Sequence, residues 1–348
     1  MSKNSFGETF GLTEPKYEYY RRKYGSPFPL ENYISENISE DVPVDIIRGW
    51  YQDYPDHDFD DVIGMDELKD YFRNRIHFSS GEWTYIPKKY GNMVQGYLFY
   101  GPYGTGKSFF SEAVAMEFMK QGFKFLRFNP VDLCGKYIGQ SEKRLLSFFR
   151  EAADCAPCVL YFDNFDYFFP YRTLDQRSAR ITNTFIRGFL ELCQTEENVI
   201  ILGNSNYPQK IDEVAFYKLF DDYFLIPLPQ FQQRKMYFQE QLKKFRLSEN
   251  ISFEYMADIT DNFSMRDLDK VETYIKNDIL ENAKEKFGIK DENGDISPEL
   301  SGNIVSEAIS SGKIVITKEL FEETLKENPP TKMDDVIEQV RIFEKKWK

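Results

Sequence analysis

The sequence predicts an α/β chain: a parallel sheet covered by helices on both faces, followed by a smaller, mostly helical domain. Two observations carry that expectation. From about residue 56, short all-apolar runs alternate with segments of helical spacing; beyond residue 230 the apolar runs fade and the helical period continues alone. Strands buried on both faces read as near-continuous apolar runs, and strand–helix alternation is the signature of parallel pairing. The 348 residues are enough for two domains, each with its own core.

Residues 1–55 are rich in tyrosine, proline and acidic side chains without a clean period, and read as an N-terminal extension with a short helix around residues 15–24. The expected strands of the α/β domain (56–230) are GYLFY at 96–100, FKFLRF at 123–128, CVLYFD at 158–163, NVIILGN at 198–204 and YFLIPL at 223–228. Helical spacing at 107–121, 140–154, 176–193 and 209–219 supplies the covering layers. The second domain (231–348) has helical spacing at 231–246, 266–287, 317–326 and 333–347. Between these helices, the Gly, Pro, Asn and Asp clusters of 288–312 read as a loop with a short helix inside it.

Charged residues make up 29% of the chain and hydrophobic ones 41%, a globular balance. No apolar run approaches the ~20 residues that span a bilayer, so no membrane span is expected. The opening MSKNSFGETF lacks the layout of a secretory signal, which makes the cytoplasm the default compartment. A net charge of −13 argues against a nucleic-acid partner, since phosphate backbones are bound by Lys and Arg. Cys155 and Cys158 form a C-x-x-C, but Cys134 and Cys193 are isolated and only two histidines exist to complete a metal set. Neither a cysteine-based metal site nor a disulfide is expected.

The strongest motif is GPYGTGKS, Gly101 to Ser108, which fits G-x-x-x-x-G-K-[ST] and lies between a predicted strand and a predicted helix. Gly101, Gly104 and Gly106 allow backbone N–H groups to wrap phosphates without Cβ clashes. Lys107 supplies positive charge, Ser108 a hydroxyl for Mg²⁺, and the helix N-terminus favours an anion. With Pro102, Tyr103, Thr105 and the adjoining Phe109, these form the candidate nucleotide-binding set, and ATP with Mg²⁺ is the expected ligand. Asp163 closes the run CVLYFD at the carboxyl end of a buried strand, where ligands gather in open α/β sheets and where a carboxylate can hold Mg²⁺ through water. Ser108 and Asp163 are therefore the candidate metal residues.

Taken together, these segments resemble the AAA ATPases, and within them the katanin, spastin and vacuolar-sorting group, over about residues 56–348. FDDVIGMDELKD (59–70) is similar to the family's entry segment, which implies that Val62, Ile63 and Gly64 line the adenine. DLCGKYIGQSEKRLLSFFREA (132–152) is similar to its first pore loop and following helix, RITNTFIRGFLE (180–191) to the helix before the fourth strand, and IPLPQFQQR (226–234) to the domain junction. GNSN (203–206) aligns with the family's G-A-T-N, giving Asn206 the sensor role near the γ-phosphate; residues 316–347 resemble its terminal helices. The resemblance implies a helical lid, a hexameric ring, homo- or hetero-oligomeric, and a polypeptide client gripped by Lys136, Tyr137 and Ile138.

The chain departs from the family pattern at three places. The family has Glu after the strand-end aspartate; here Asn164 follows Asp163, and an amide cannot take a proton from water. The paired arginine fingers are replaced by Tyr217 and Lys218, and no arginine occurs between Arg187 and Arg234. SMRDLDK (264–270) aligns with S-G-A-D-L, so Met265 replaces a glycine; Arg266 reads either as a γ-phosphate sensor or as a surface helix arginine. Asp163, Asn164 and Asn206 are the candidate catalytic positions. Two readings stand: a ring-forming ATPase that threads polypeptides, and a hydrolysis-deficient, nucleotide-gated scaffold or mixed-ring subunit.

Overall fold

The computed structural model describes residues 55–77, 94–128, 140–167, 176–194, 198–287 and 315–347. The expectations for the extension up to residue 54, for the loop at 288–312 and for Lys136, Tyr137 and Ile138 lie outside the described residues.

Five parallel strands form one sheet in the order β2-β3-β4-β1-β5: β1 Val94–Tyr100, β2 Lys124–Phe128, β3 Cys158–Phe162, β4 Val199–Ser205 and β5 Asp222–Leu225. Helices α1 Asp66–His77, α2 Lys107–Lys120, α3 Gln140–Cys155, α4 Gln176–Cys193 and α5 Glu213–Leu219 cover it. β1, β3 and β4 are buried along their whole length, as apolar runs without alternation require. β5 stops at Leu225, short of the expected residue 228; Pro227, two positions on, has no N–H for a ladder.

Side-chain alternation along β1 divides the aromatic core. Tyr97 and Phe99 meet Phe72 of α1, at 5.2 and 5.7 Å between ring centroids, and Phe224 of β5. Leu98 and Tyr100 belong to the other layer, with Phe128, Phe148, Phe162, Phe165 and Phe185. Its rings pack mostly edge-on, as in Phe149–Phe185 at 4.9 Å and 87°, the arrangement that aromatic quadrupoles favour.

The chain divides into two compact units, and not by one cut at residue 230. The larger comprises residues up to Tyr100, Lys107–Leu225 and Gln339–Lys348; the smaller comprises Gly101–Gly106 and Ile226–Glu338. The last helix, Asp334–Trp347, ends within the larger unit because its apolar residues complete that core. Phe343 packs on Tyr100 at 5.0 Å, Trp347 packs on Phe216 at 4.4 Å, and the Tyr223 hydroxyl donates to the Trp347 carbonyl at 2.5 Å.

In the smaller unit, helices Phe231–Gln241, Phe253–Ile259, Met265–Phe287 and Lys318–Glu327 accompany a two-residue parallel pair, Arg246–Leu247 with Val315–Ile316. The buried Arg234 guanidinium ties the first two together. It donates to the carbonyls of Pro229 (2.7 Å) and Ala257 (3.0 Å) and pairs with Asp261. Helix α1, the seven-residue helix at 253–259 and the short strand pair escape the periodicity argument. The helix expected over 209–219 is a 3₁₀ turn, Pro208–Lys210, followed by α5, because Ile211 between them is extended.

Gly96 of β1 fixes how closely the end of α5 approaches the sheet: a Cβ there would lie 1.7 Å from the Leu219 carbonyl oxygen. By contrast, a Cβ on Gly122 would meet nothing within 4 Å, although its φ is +92°. Gly96→Ala is expected to destabilise the chain by about 3 kcal/mol or more, through displaced backbone. Gly122→Ala should cost only about 1 kcal/mol of strain. Urea denaturation of both variants checks the difference, and equal losses would contradict it.

Candidate functional site

β1, β4 and β3 are neighbours, and their carboxyl ends carry the chemistry. Gly101 follows β1, Asn204 and Ser205 end β4 with Asn206 next, and Asp163 and Asn164 follow β3. The register pairs Phe162 with Gly203, so Asp163 and Asn204 come next on adjacent strands. Parallel pairing thus gathers residues far apart in sequence at the edge where α/β sheets hold ligands.

The glycine turn has the backbone that its composition predicts. Gly101, Gly104 and Gly106 have φ of +148°, +75° and +94°. A Cβ on Gly101 would meet the Ile226 carbonyl oxygen at 2.3 Å, while the corresponding position on Gly106 opens on nothing within 4 Å. The first glycine is therefore required by packing, and the last by its left-handed backbone alone. Pro102 and Thr105 are buried, with the Thr105 hydroxyl donating to the Pro102 carbonyl at 2.9 Å. Tyr103 donates to the carbonyl of Lys332 at 3.1 Å.

Lys107 begins α2 and is 6% exposed. Burial pushes its ammonium down to about 8, against the raising influence of Asp163 and Asp166. A buried cation suits an anionic ligand. Ser108 donates to Oδ1 of Asp163 at 3.2 Å, so the two residues expected to share a metal lie side by side. This hydroxyl–carboxylate pair fits Mg²⁺, a hard cation that takes oxygen ligands and keeps waters. Phe109 is 37% exposed and stacks on His57 at 4.1 Å.

Asn164 and Asn206 are brought together: the Asn206 amide donates to Asn164 Oδ1 at 3.4 Å. Asn164 has φ of +51°, a left-handed conformation that asparagine tolerates better than most residues, and its N–H donates to Asp163 Oδ1 at 3.1 Å. Asp166 lies in a 3₁₀ turn and accepts from the buried Ser205 hydroxyl at 2.6 Å. Val62 and Gly64 are buried and Ile63 is half-buried; the Val62 carbonyl accepts from Lys69.

Arg266 touches the glycine turn through its backbone, its N–H donating to the Gly104 carbonyl at 3.1 Å. Its side chain is exposed and makes no hydrogen bond or ion pair among the described residues. Tyr217 is 74% exposed and packs its ring on Trp347 at 4.6 Å, with Lys218 exposed beside it. Asn204, Tyr161 and Ser111 were not singled out by the sequence pattern, yet they form a buried polar group around Asp163. The available signal was an amide closing the apolar run NVIILGN, which needs partners once buried.

Residues 97–228 match the sequence model of the ATPase family associated with various cellular activities (AAA). Over 302 residues, 83% of the chain, it is 25% identical to Protein SAV of Sulfolobus acidocaldarius. It is 27% identical to the Cell division cycle protein 48 homolog of Archaeoglobus fulgidus over 83% of the chain, and 33% identical to the Cell division control protein 48 homolog C of Arabidopsis thaliana over 56%. The chain's matched part spans 37%, 38% and 23% of those relatives respectively. A crystal structure of the FIGL-1 AAA domain, in complex with ADP, superposes with a TM-score of 0.66 at 21% identity, covering 89% of this chain and 99% of that one.

Because Lys107 titrates near 8 when folded and near 10.5 when unfolded, its buried charge opposes folding below pH 8. That penalty is relieved as pH rises from about 8 towards 10.5, where the unfolded state holds more protons. Lys107→Met is therefore expected to be more stable than the parent at pH 7 by about 2 kcal/mol, with the gap narrowing above pH 8. Chemical denaturation at pH 7 and 9.5 tests this, and a gap that widens with pH would contradict it. The matched segment and its sheet identify residues 97–228 as a domain of the AAA ATPase family, with the AAA fold.

Proposed function

We propose that the chain binds ATP with Mg²⁺ on the loop Gly101–Ser108 and works as a subunit of a ring that remodels or threads polypeptides. The observation that carries this reading is the Ser108–Asp163 pair at 3.2 Å next to the buried Lys107, whose ammonium feels the charge of Asp163. In this reading the loop N–H groups and Lys107 bind the β- and γ-phosphates. Ser108 and Asp163 hold the metal, which would neutralise phosphate charge when bound. Val62, Ile63, Gly64 and Phe109 are assigned to the adenine, and Lys136, Tyr137 and Ile138 to the client. Likeness to the katanin, spastin and vacuolar-sorting group supports the ring and the gripping role.

A second reading, a subunit that binds nucleotide but hydrolyses it poorly, is favoured by the Asn164–Asn206 contact. Two amides face each other where a proton acceptor for water is needed, and an amide does not accept that proton. The exposed Tyr217 offers a neighbouring site no charge, and Lys218 lacks the planar fork of arginine. In a mixed ring, an active neighbour would supply the missing groups.

Calorimetry with ATP and ADP at millimolar Mg²⁺ is expected to detect binding that Lys107→Ala weakens roughly a hundredfold, about 3 kcal/mol. Absence of binding by the unmodified chain would end both readings. Steady-state turnover then separates them. Hydrolysis lost in Lys107→Ala supports the threading ATPase; negligible hydrolysis that rises in Asn164→Glu supports the hydrolysis-poor subunit.

A further inference from the structure

We propose that Asn204 is a positioning residue for the metal end of the site: it pins one oxygen of Asp163 and leaves the other for the metal and its water. The inference rests on the nucleotide-binding reading above. Asn204 ends the central strand β4 and is 2% exposed. Its amide nitrogen donates to the Tyr161 hydroxyl at 2.8 Å and to Oδ1 of Asp163 at 3.3 Å. Its carbonyl oxygen accepts from the Ser111 hydroxyl at 2.6 Å. Both amide hydrogens and the oxygen are thereby used, and swapping N for O would face acceptor against acceptor at Asp163. The orientation of the side chain is therefore dictated by its partners.

The effect falls on Asp163. Its Oδ1 accepts from Ser108, from the Asn164 N–H and from Asn204, at 3.2, 3.1 and 3.3 Å. Oδ2 makes no hydrogen bond among the described residues. Three donors on one oxygen fix the carboxylate plane and present the other oxygen. Ser108 spends its proton on Oδ1 and, with the Tyr161 hydroxyl also within hydrogen-bonding reach, keeps one lone pair for a cation. Groups that orient ligands in this way tune metal affinity without touching the metal. Ser111 comes from α2, Tyr161 from β3 and Asn204 from β4, so the clamp is built from three elements packed together.

The test compares the full chain with Asn204→Ala and Ser111→Ala, using a non-hydrolysable ATP analogue in calorimetry with EDTA and across a magnesium titration. In EDTA both variants should bind the analogue within about twofold of the parent, since the glycine turn and Lys107 are untouched. The magnesium needed for half of the metal-dependent gain should rise about tenfold in Asn204→Ala. It should rise about threefold in Ser111→Ala, where the amide loses one of its three anchors and keeps those to Tyr161 and Asp163. Ser111→Ala removes one hydroxyl only and keeps the test open if Asn204→Ala does not fold. A parental magnesium requirement in a folded variant, or a loss in EDTA equal to that in magnesium, would overturn the positioning role. Failure of the unmodified chain to bind the analogue would instead overturn the nucleotide-binding reading.

Discussion

The parallel pairing of β4 with both β1 and β3 is the constraint on which the candidate site depends. It sets Gly101, Asn204–Asn206 and Asp163 at one edge of the sheet, and no local motif could do so. The apolar strands that enforce the pairing are buried on both faces, so a slip in register would move the polar ends and open the aromatic layers together. Core packing and site geometry are therefore one requirement in this domain.

The same requirement explains the polar atoms that the core tolerates. Tyr161, Ser111, Asn204 and Ser205 are buried at the end of an otherwise apolar sheet, and each has a hydrogen-bonding partner. In a low-dielectric setting an unpaired amide or hydroxyl costs about 1–3 kcal/mol, whereas a satisfied network specifies one arrangement. Burial of Lys107 works in the opposite direction. It depresses the lysine's proton affinity and opposes folding near neutral pH, a tension common where binding groups are set in advance of their ligand.

Much of this architecture could be read directly from the residues. Apolar runs marked the five strands to within a few positions, and the glycine turn, Lys107, Ser108 and Asp163 were evident because their chemistry follows a spacing along the chain. Asn204 was hidden because its partners come from a neighbouring strand and from helix α2, relations that a linear pattern does not carry. Helix α1 has only a narrow apolar row, Leu68, Phe72 and Ile76, in a segment that is otherwise mostly polar, so its period stands out weakly. The pair Arg246–Leu247 and Val315–Ile316 is too short to give any alternation. Arg266 illustrates the reverse case: the resemblance suggested a side-chain role, and the contact with the turn comes from the backbone.

The left-handed backbone at Asn164 restricts which side chains can replace it. Any residue with a longer chain and no short-range hydrogen-bonding habit must carry its Cβ against the following carbonyl, a strain of about 1–2 kcal/mol. A glutamate introduced there would enter an uncomfortable torsional setting, next to the Asn206 amide. Glycine, aspartate and asparagine therefore suit this backbone, and a longer acid enters it at a conformational cost that precedes any gain in chemistry.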